Sequence, residues 1–306
     1  MNIIKSNISE KFKHNGVLIK PFNHKDNLSK SIDENDIISE FEQRGLVIFE
    51  DFDINKSNLT EFTDKFTQNY ASDTNRRESR FDSKIVKSVD TGNDNIKLHS
   101  EASFTSTWPE IIWFFCHKAP HAGAETTLCD GIKLWDELTK ETQKFFIQNP
   151  IVYKLSIPIR GKKNGKGTQD WFVKSIGAYN SYIDWDLGEL FLEQSRYAVH
   201  NSRNMKDLCF ANHIIVDLKS EPQIISRKLV NGSEIPKKII DEVTLKSDNL
   251  IYKHSWKDSQ LIMLDNKRFL HGREKILPNQ ERDIVNIQSQ FASFAYGQTT
   301  RMKVNS

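Results

Sequence analysis

The chemistry legible in this chain begins with His99 and Glu101, in the stretch Ile96-Lys97-Leu98-His99-Ser100-Glu101. A histidine and a carboxylate two residues apart supply half of a 2-His-1-carboxylate set, which holds Fe(II) and leaves coordination positions open. On a strand, residues i and i+2 share a face, so both side chains could reach one ion. The second histidine must come from elsewhere. His271 is the candidate, because it follows the apolar run Leu261-Ile262-Met263-Leu264 and so sits where a strand leaves the core. A lone histidine is more often a solvent-facing loop residue, so His271 gains weight only from its company.

The spacing alone is weak evidence. With 9 His and 41 Asp+Glu in 306 residues, about one His-x-acid match is expected by chance. A second match exists, His24-Lys25-Asp26, but it lies in a polar, turn-rich stretch and reads as a solvated loop. Two further residues accompany the His99 set. Arg282 lies eleven residues beyond His271, at the start of a strand, where its guanidinium could clamp a carboxylate with two nitrogens. Thr126, in Gly123-Ala124-Glu125-Thr126, could add a hydroxyl donor.

Bulk properties exclude several classes. A net charge of +2, without long runs of one sign, gives no reason to expect nucleic acid or another polyanion. Three Cys (116, 129 and 209) without a CxxC pair argue against a disulfide framework and against structural zinc. They read as small buried apolar residues. The first residues show no apolar signal segment. The longest aliphatic-aromatic run, residues 111–116, is too short to span a bilayer. The expectation is a cytoplasmic protein with no membrane partner.

The elements that must position these residues follow from pattern. Strands are expected at 17–19, 46–49, 111–116, 151–159, 208–216, 250–254, 261–264 and 282–291. Helices are expected near 36–41, stopping at Gly45, at 59–66 with Ser57 as cap, at 134–146 with Thr139 as a cap within it, at 186–197 and at 237–243. Residues 71–97 read as an irregular exposed connection that could form part of a lid over His99. The run 161–167 has glycines and lysines without P-loop spacing and reads as a solvated hairpin tip. No repeat or linker divides the chain, so residues 1–306 read as a single domain. Strands dominate the second half and helices lie at the front and between. The expected fold is mainly β with peripheral helices, a double-stranded β-helix or jelly roll.

Taken together, four segments resemble the TauD/TfdA (taurine dioxygenase-like) family of Fe(II)- and 2-oxoglutarate-dependent oxygenases, over roughly residues 40 to 295. His99-Ser100-Glu101 falls on the family's first two metal ligands. Gly123-Ala124-Glu125-Thr126 followed by Asp130 falls on its Gly-Gly-x-Thr segment. Asp265-Asn266-x-Arg268-x-x-His271-Gly272-Arg273 falls on the segment carrying the distal histidine, and Arg282 on the co-substrate arginine. The resemblance implies Fe(II) held by His99, Glu101 and His271, and 2-oxoglutarate held by Thr126 and Arg282. It implies that O2 is consumed while a C–H bond of a small molecule is oxidised. No side chain need act beyond the metal ligands.

Two departures refine what the resemblance implies. The acid is Glu where many members have Asp, similar to clavaminate synthase-like enzymes and hydroxylases of nonribosomal-peptide pathways. A carboxylate at this position also argues against a halogenase. Asn286 stands where the taurine enzyme has a sulfonate-binding arginine, so taurine is not the expected substrate. Alternation places Arg282, Asn286 and Gln288 on one face of the last strand. An interior lined by these amides suits an amino acid, or an amino-acyl group free or tethered to a carrier protein, in natural-product biosynthesis. The expected reaction is hydroxylation. Desaturation or ring formation begins in the same way, and a non-catalytic module binding a metal or small acid is the competing class. The pocket-lining loops, 71–97 and 161–185, name no substrate, and the oligomeric state is not legible.

Overall fold

The computed structural model describes residues 3–9, 16–71, 77–90, 92–158 and 179–294. In chain order the front of the molecule comprises β1 (Ile3–Asn7), β2 (Val17–Pro21), α1 (Leu28–Ser31), α2 (Glu34–Arg44), β3 (Leu46–Phe49), α3 (Leu59–Asp64), β4 (Thr67–Tyr70), β5 (Ser79–Arg80) and β6 (Ser83–Ser88). The middle comprises β7 (Ile96–His99), β8 (Ile111–Lys118), β9 (Thr126–Asp130), α4 (Gly131–Glu137), α5 (Lys140–Gln148), β10 (Ile151–Pro158), β11 (Tyr179–Asp184), β12 (Glu189–Arg196), β13 (Val199–Asn201), β14 (Leu208–Phe210) and β15 (Ile224–Leu229). The chain ends with α6 (Lys237–Asn249), β16 (Tyr252–His254), β17 (Leu261–Asp265), β18 (Phe269–Arg273) and β19 (Asp283–Ala292).

Two sheets make the scaffold. The larger runs β1-β2-β3-β17-β8-β19-β6-β5, with β4 also paired to β19, and the smaller runs β16-β9-β18-β7. Side-chain alternation explains why they face each other. On β8, Ile112, Phe114 and Cys116 point into a cluster with Leu128, Trp256 and Phe269 of the smaller sheet and its approach. Ile111, Trp113 and Phe115 point the other way, against α2, α3 and the apolar residues around them. A central strand buried on both faces therefore reads as one unbroken apolar run. The outer face of the smaller sheet, with Leu98, Cys129 and Leu270, packs under α4, α5, α6 and a third sheet of order β11-β12-β10-β15. This is the expected double-stranded β-helix with helices outside.

Local signals account for several boundaries. Asp33 caps α2 by accepting from the amides of Asn35 and Asp36, and Gly45 ends it in the left-handed conformation at φ 71°. All three cysteines are free and buried, as expected. No helix among the described residues is long and apolar enough to cross a membrane.

Other boundaries differ from expectation. Residues 189–196 form a strand, not a helix, because Leu190, Leu192 and Gln194 turn one face inward with period two. The stretch 71–97 is not wholly irregular, since it contributes β5, β6 and the first half of β7. Within 134–146 the chain forms parts of two helices, and Thr139 caps the second. The cap position of α3 is Asn58, not Ser57, and it makes no side-chain cap bond. Of 208–216 only Leu208–Phe210 is strand. The 161–167 run lies outside the described residues.

One glycine sets the closeness of β18 to its neighbours. A Cβ on Gly272 would lie 2.4 Å from the Ile96 carbonyl oxygen and 2.8 Å from Thr127 Oγ1. Gly272→Ala is expected to destabilise the protein by about 1–3 kcal/mol, because backbone must move to admit the methyl group. Thermal or urea unfolding checks the value, and an unchanged midpoint would show that the strands yield freely.

Candidate active site

The antiparallel pairing of β18 with β7 sets His271 directly opposite His99. Their rings lie 4.5 Å apart between centroids. Glu101 does not share a strand with His99, because β7 ends at His99 and the chain turns. Strand alternation is therefore not what brings the carboxylate to the histidines. A turn through Ala102, at φ 53°, and the side chain of Asn266 do so instead. Asn266 Oδ1 accepts from the Glu101 amide at 2.8 Å, and its Nδ2 donates to the Glu101 and Pro109 carbonyls at 3.0 and 2.9 Å. Ser100 Oγ donates to the Asn266 carbonyl at 2.6 Å and accepts from Trp108 Nε1 at 2.8 Å. Asn266 thus locks two segments that lie 165 residues apart in sequence.

The result is a tight donor set. Glu101 Oε2 stands 3.6 Å from His99 Nε2 and 3.9 Å from His271 Nε2. One ligand atom from each of the three residues lies within 4.8 Å of the others. His99 Nδ1 is 2.9 Å from the Lys97 carbonyl, which can only accept, so Nδ1 carries a proton and Nε2 is the ring atom turned toward Glu101. Burial, reinforced by His99, pushes the His271 imidazole well below its usual range and keeps it neutral. Burial alone would raise the Glu101 carboxyl, but the positive charge beside it, the Arg77 guanidinium first, holds it well below the usual carboxylate range. Two neutral-capable imidazoles and one ionised carboxylate suit a divalent first-row metal.

A second group of residues lies along the same face of the smaller sheet. Thr126, buried at the start of β9, pairs with Arg273 of β18 and His254 of β16. Its Oγ1 accepts from Trp256 Nε1 at 2.9 Å, which leaves the hydroxyl proton to be donated elsewhere. Arg282 lies immediately before β19, and its Nε is buried with no hydrogen-bond partner among the described residues. Burial, with Arg273 nearby, lowers its guanidinium to about 10. Arg273 itself donates to the carbonyls of Asp90, Gly92 and Asp94 and so holds the loop leading into β7.

The two amides of the last strand pair with each other. Gln288 Nε2 donates to Asn286 Oδ1 at 3.1 Å, and Arg77 Nη1 reaches the same oxygen at 3.3 Å. Arg77 also places Nη2 at 3.1 Å from both oxygens of Glu101. Sequence reasoning gave Arg77 no role, since one arginine in a polar run carries no local pattern. Arg77 thus brings a guanidinium to the amides that alternation places on this face of the last strand. Asn266 lay inside a segment already singled out, but its clamp depends on tertiary contact. His213 was also missed. Its ring packs edge-on to His99 at 5.2 Å, with Glu221 Oε1 3.3 Å from its Nε2.

Residues 16–288 match the family described as "Taurine catabolism dioxygenase TauD, TfdA family". The chain belongs to this family of Fe(II)- and 2-oxoglutarate-dependent dioxygenases. It is similar to 3-((Z)-2-isocyanoethenyl)-1H-indole synthase of Fischerella ambigua (strain UTEX 1903), 20% identical over 207 residues. That match covers 64% of this chain and 63% of the relative's length. Among solved structures, PvcB of Pseudomonas aeruginosa superposes with TM-score 0.62 and 13% identity, covering 94% of this chain and 91% of that one. AAD-2 in complex with Mn(II) and N-oxalylglycine gives TM-score 0.62 and 16% identity, covering 97% and 100%. A taurine dioxygenase from Burkholderia xenovorans gives 0.63 and 11%, covering 94% and 89%. At these identities the structural likeness establishes the fold.

Proposed function

We propose that this protein oxidises an unactivated C–H bond of a small polar molecule, of amino-acid size, with His99, Glu101 and His271 holding Fe(II). The observation that carries the reading is the convergence of one ligand atom from each within 4.8 Å. Fe(II) bound there with 2-oxoglutarate and O2 supplies the oxidation, with succinate and carbon dioxide released. The chain's own residues do the rest. Thr126 and Arg282 hold the far carboxylate of 2-oxoglutarate, the first through a hydroxyl whose proton the Trp256 contact leaves to be donated, the second through a buried guanidinium. The apolar cluster around Phe114 and Trp256 excludes bulk water beside them. Succinate formed from 2-oxoglutarate in the presence of iron, ascorbate and O2 tests the reading, and a non-catalytic binding module would give none.

Arg282→Ala is expected to raise the 2-oxoglutarate requirement by a factor on the order of a hundred, because a charge-assisted paired contact is lost. The requirement for the prime substrate should change little. Arg282→Lys should recover only part of the loss, since an ammonium lacks the planar fork. Titration of 2-oxoglutarate at saturating iron checks this, and wild-type behaviour in both variants would place the clamp elsewhere.

Hydroxylation is the first reading of the outcome. Desaturation is the second, and one observation favours it: the curated relative is named for a product bearing an ethenyl group. Product mass separates the two, since one gains an oxygen atom and the other loses two hydrogens.

A further inference from the structure

We infer that His254, backed by Gln260 and Glu50, is a positioning residue that fixes the Thr126 hydroxyl for the far carboxylate of the co-substrate. The inference rests on the oxygenase reading above.

The first argument is placement. His254 stands directly opposite Thr126 in the antiparallel pairing of β16 with β9. Residues opposite each other in such a pairing share a face, so His254 lies on the same face of the smaller sheet as Thr126. It is buried, at 4% exposure. Its side chain reaches the larger sheet, where Gln260 immediately precedes β17 and Glu50 immediately follows β3. Those two strands are neighbours, so the three side chains tie the sheets together at one place.

The second argument is the direction of each hydrogen bond. Gln260 Oε1 accepts from the Lys257 amide at 2.9 Å, and Gln260 Nε2 donates to Glu50 Oε2. These two contacts fix which way the Gln260 amide faces, and its oxygen can only accept. His254 Nε2, 3.1 Å from that oxygen, therefore carries the proton. His254 Nδ1 has no hydrogen-bond partner among the described residues, so no protein group draws the ring toward its other tautomer. Burial lowers the imidazole to about 4 and keeps it neutral. Burial would raise the Glu50 carboxyl, but the ammonium groups of Lys20 and Lys257, at 2.5 and 2.8 Å, hold it below its usual range. The imidazole is thus held in one tautomer and one orientation.

The third argument is what the fixed ring touches. Trp256 meets it in a T-shaped contact, with centroids 4.7 Å and planes 89° apart. The same indole donates Nε1 to Thr126 Oγ1 at 2.9 Å. Fixing the indole occupies one side of the Thr126 oxygen and leaves its proton for the carboxylate. A phenyl ring at position 254 would fill the space but would make no bond to Gln260.

The test compares two ligands of the Mn(II)-loaded protein by isothermal titration calorimetry. N-oxalylglycine chelates the metal and carries a far carboxylate; oxalate chelates the metal and has none. His254→Phe should weaken N-oxalylglycine by a factor on the order of ten while oxalate stays within about twofold. Gln260→Leu leaves the imidazole in place and should give the same split, which serves equally if His254→Phe does not fold. The double variant should lose no more than the worse single one, because the residues act in series. His254→Gln should recover most of the loss, since its amide nitrogen can donate to Gln260 as Nε2 does. In turnover the same loss should appear in KM for 2-oxoglutarate, with kcat kept within about twofold. Equal weakening of both ligands would overturn the inference, because His254 would then only support the fold. So would unchanged binding of N-oxalylglycine in His254→Phe and Gln260→Leu, or losses that multiply in the double variant. Failure of the oxygenase reading itself looks different, because then neither Mn(II) nor N-oxalylglycine binds the wild-type protein.

Discussion

His271→Ala leaves a folded protein that no longer forms succinate from 2-oxoglutarate and binds Mn(II) more than about a hundredfold more weakly. The magnitude exceeds the 10–100-fold typical of losing a residue behind a ligand, since here a ligand itself is removed. The fold should survive for a local reason. His271 joins β18 to its neighbours through backbone, and the ladder with β9 and β7 does not depend on the imidazole. The ring packs against Phe114 and His99, and its Nδ1 has no hydrogen-bond partner among the described residues. Circular dichroism, Mn(II) titration by electron paramagnetic resonance and a succinate assay on the same preparation separate the two effects. A variant that keeps full Mn(II) affinity would remove His271 from the donor set.

The largest expected loss of stability comes from Asp130→Ala. Asp130 and Arg268 are buried, with side-chain accessibilities of 0% and 6%, and are joined by two hydrogen bonds. Removing the carboxylate strands a guanidinium in the core, at a cost of about 3–5 kcal/mol. Asp130 also caps α4 by accepting from the Ile132 amide at 2.9 Å, so a further ~1 kcal/mol is lost. Urea unfolding should show a lower midpoint with an unchanged slope. Replacing both members by apolar residues of similar size should cost far less than either single change, because no charge is then left buried. Equal losses in the single and double variants would show that the cap and packing, not the ion pair, dominate.

Much of the scaffold was legible because apolar side chains repeat with the period of the element they form. The unbroken apolar run around Trp113 reads as a buried strand, which the structure buries on both faces, and Gly45 marks the end of α2 by its own chemistry. The donor set was legible as four segments in order, none sufficient alone. The failures have physical causes. The 186–197 stretch is rich in Leu, Glu and Gln, residues comfortable in helices, and its pairing with β10 overrode that preference. Arg77 acquires its role from Glu101 and Asn286, which are 24 and 209 residues away in sequence. Glu101 was placed for the wrong reason: its orientation comes from Asn266, a contact no periodicity reports.

The position of β18 also has a consequence for the order in which the molecule can be made. It lies between β9 and β7, so the strand bearing His271 comes late in the chain yet fills the middle of the smaller sheet. The larger sheet repeats the arrangement, with β17 between β3 and β8 and β19 between β8 and β6. A nascent chain emerging from the ribosome therefore carries two sheets with gaps at their centres, and synthesis of nearly the whole protein precedes closure of either. Iron delivery to the three-residue set must follow translation of residue 271, and a ribosome stalled before that point holds a chain with two ligands and no centre.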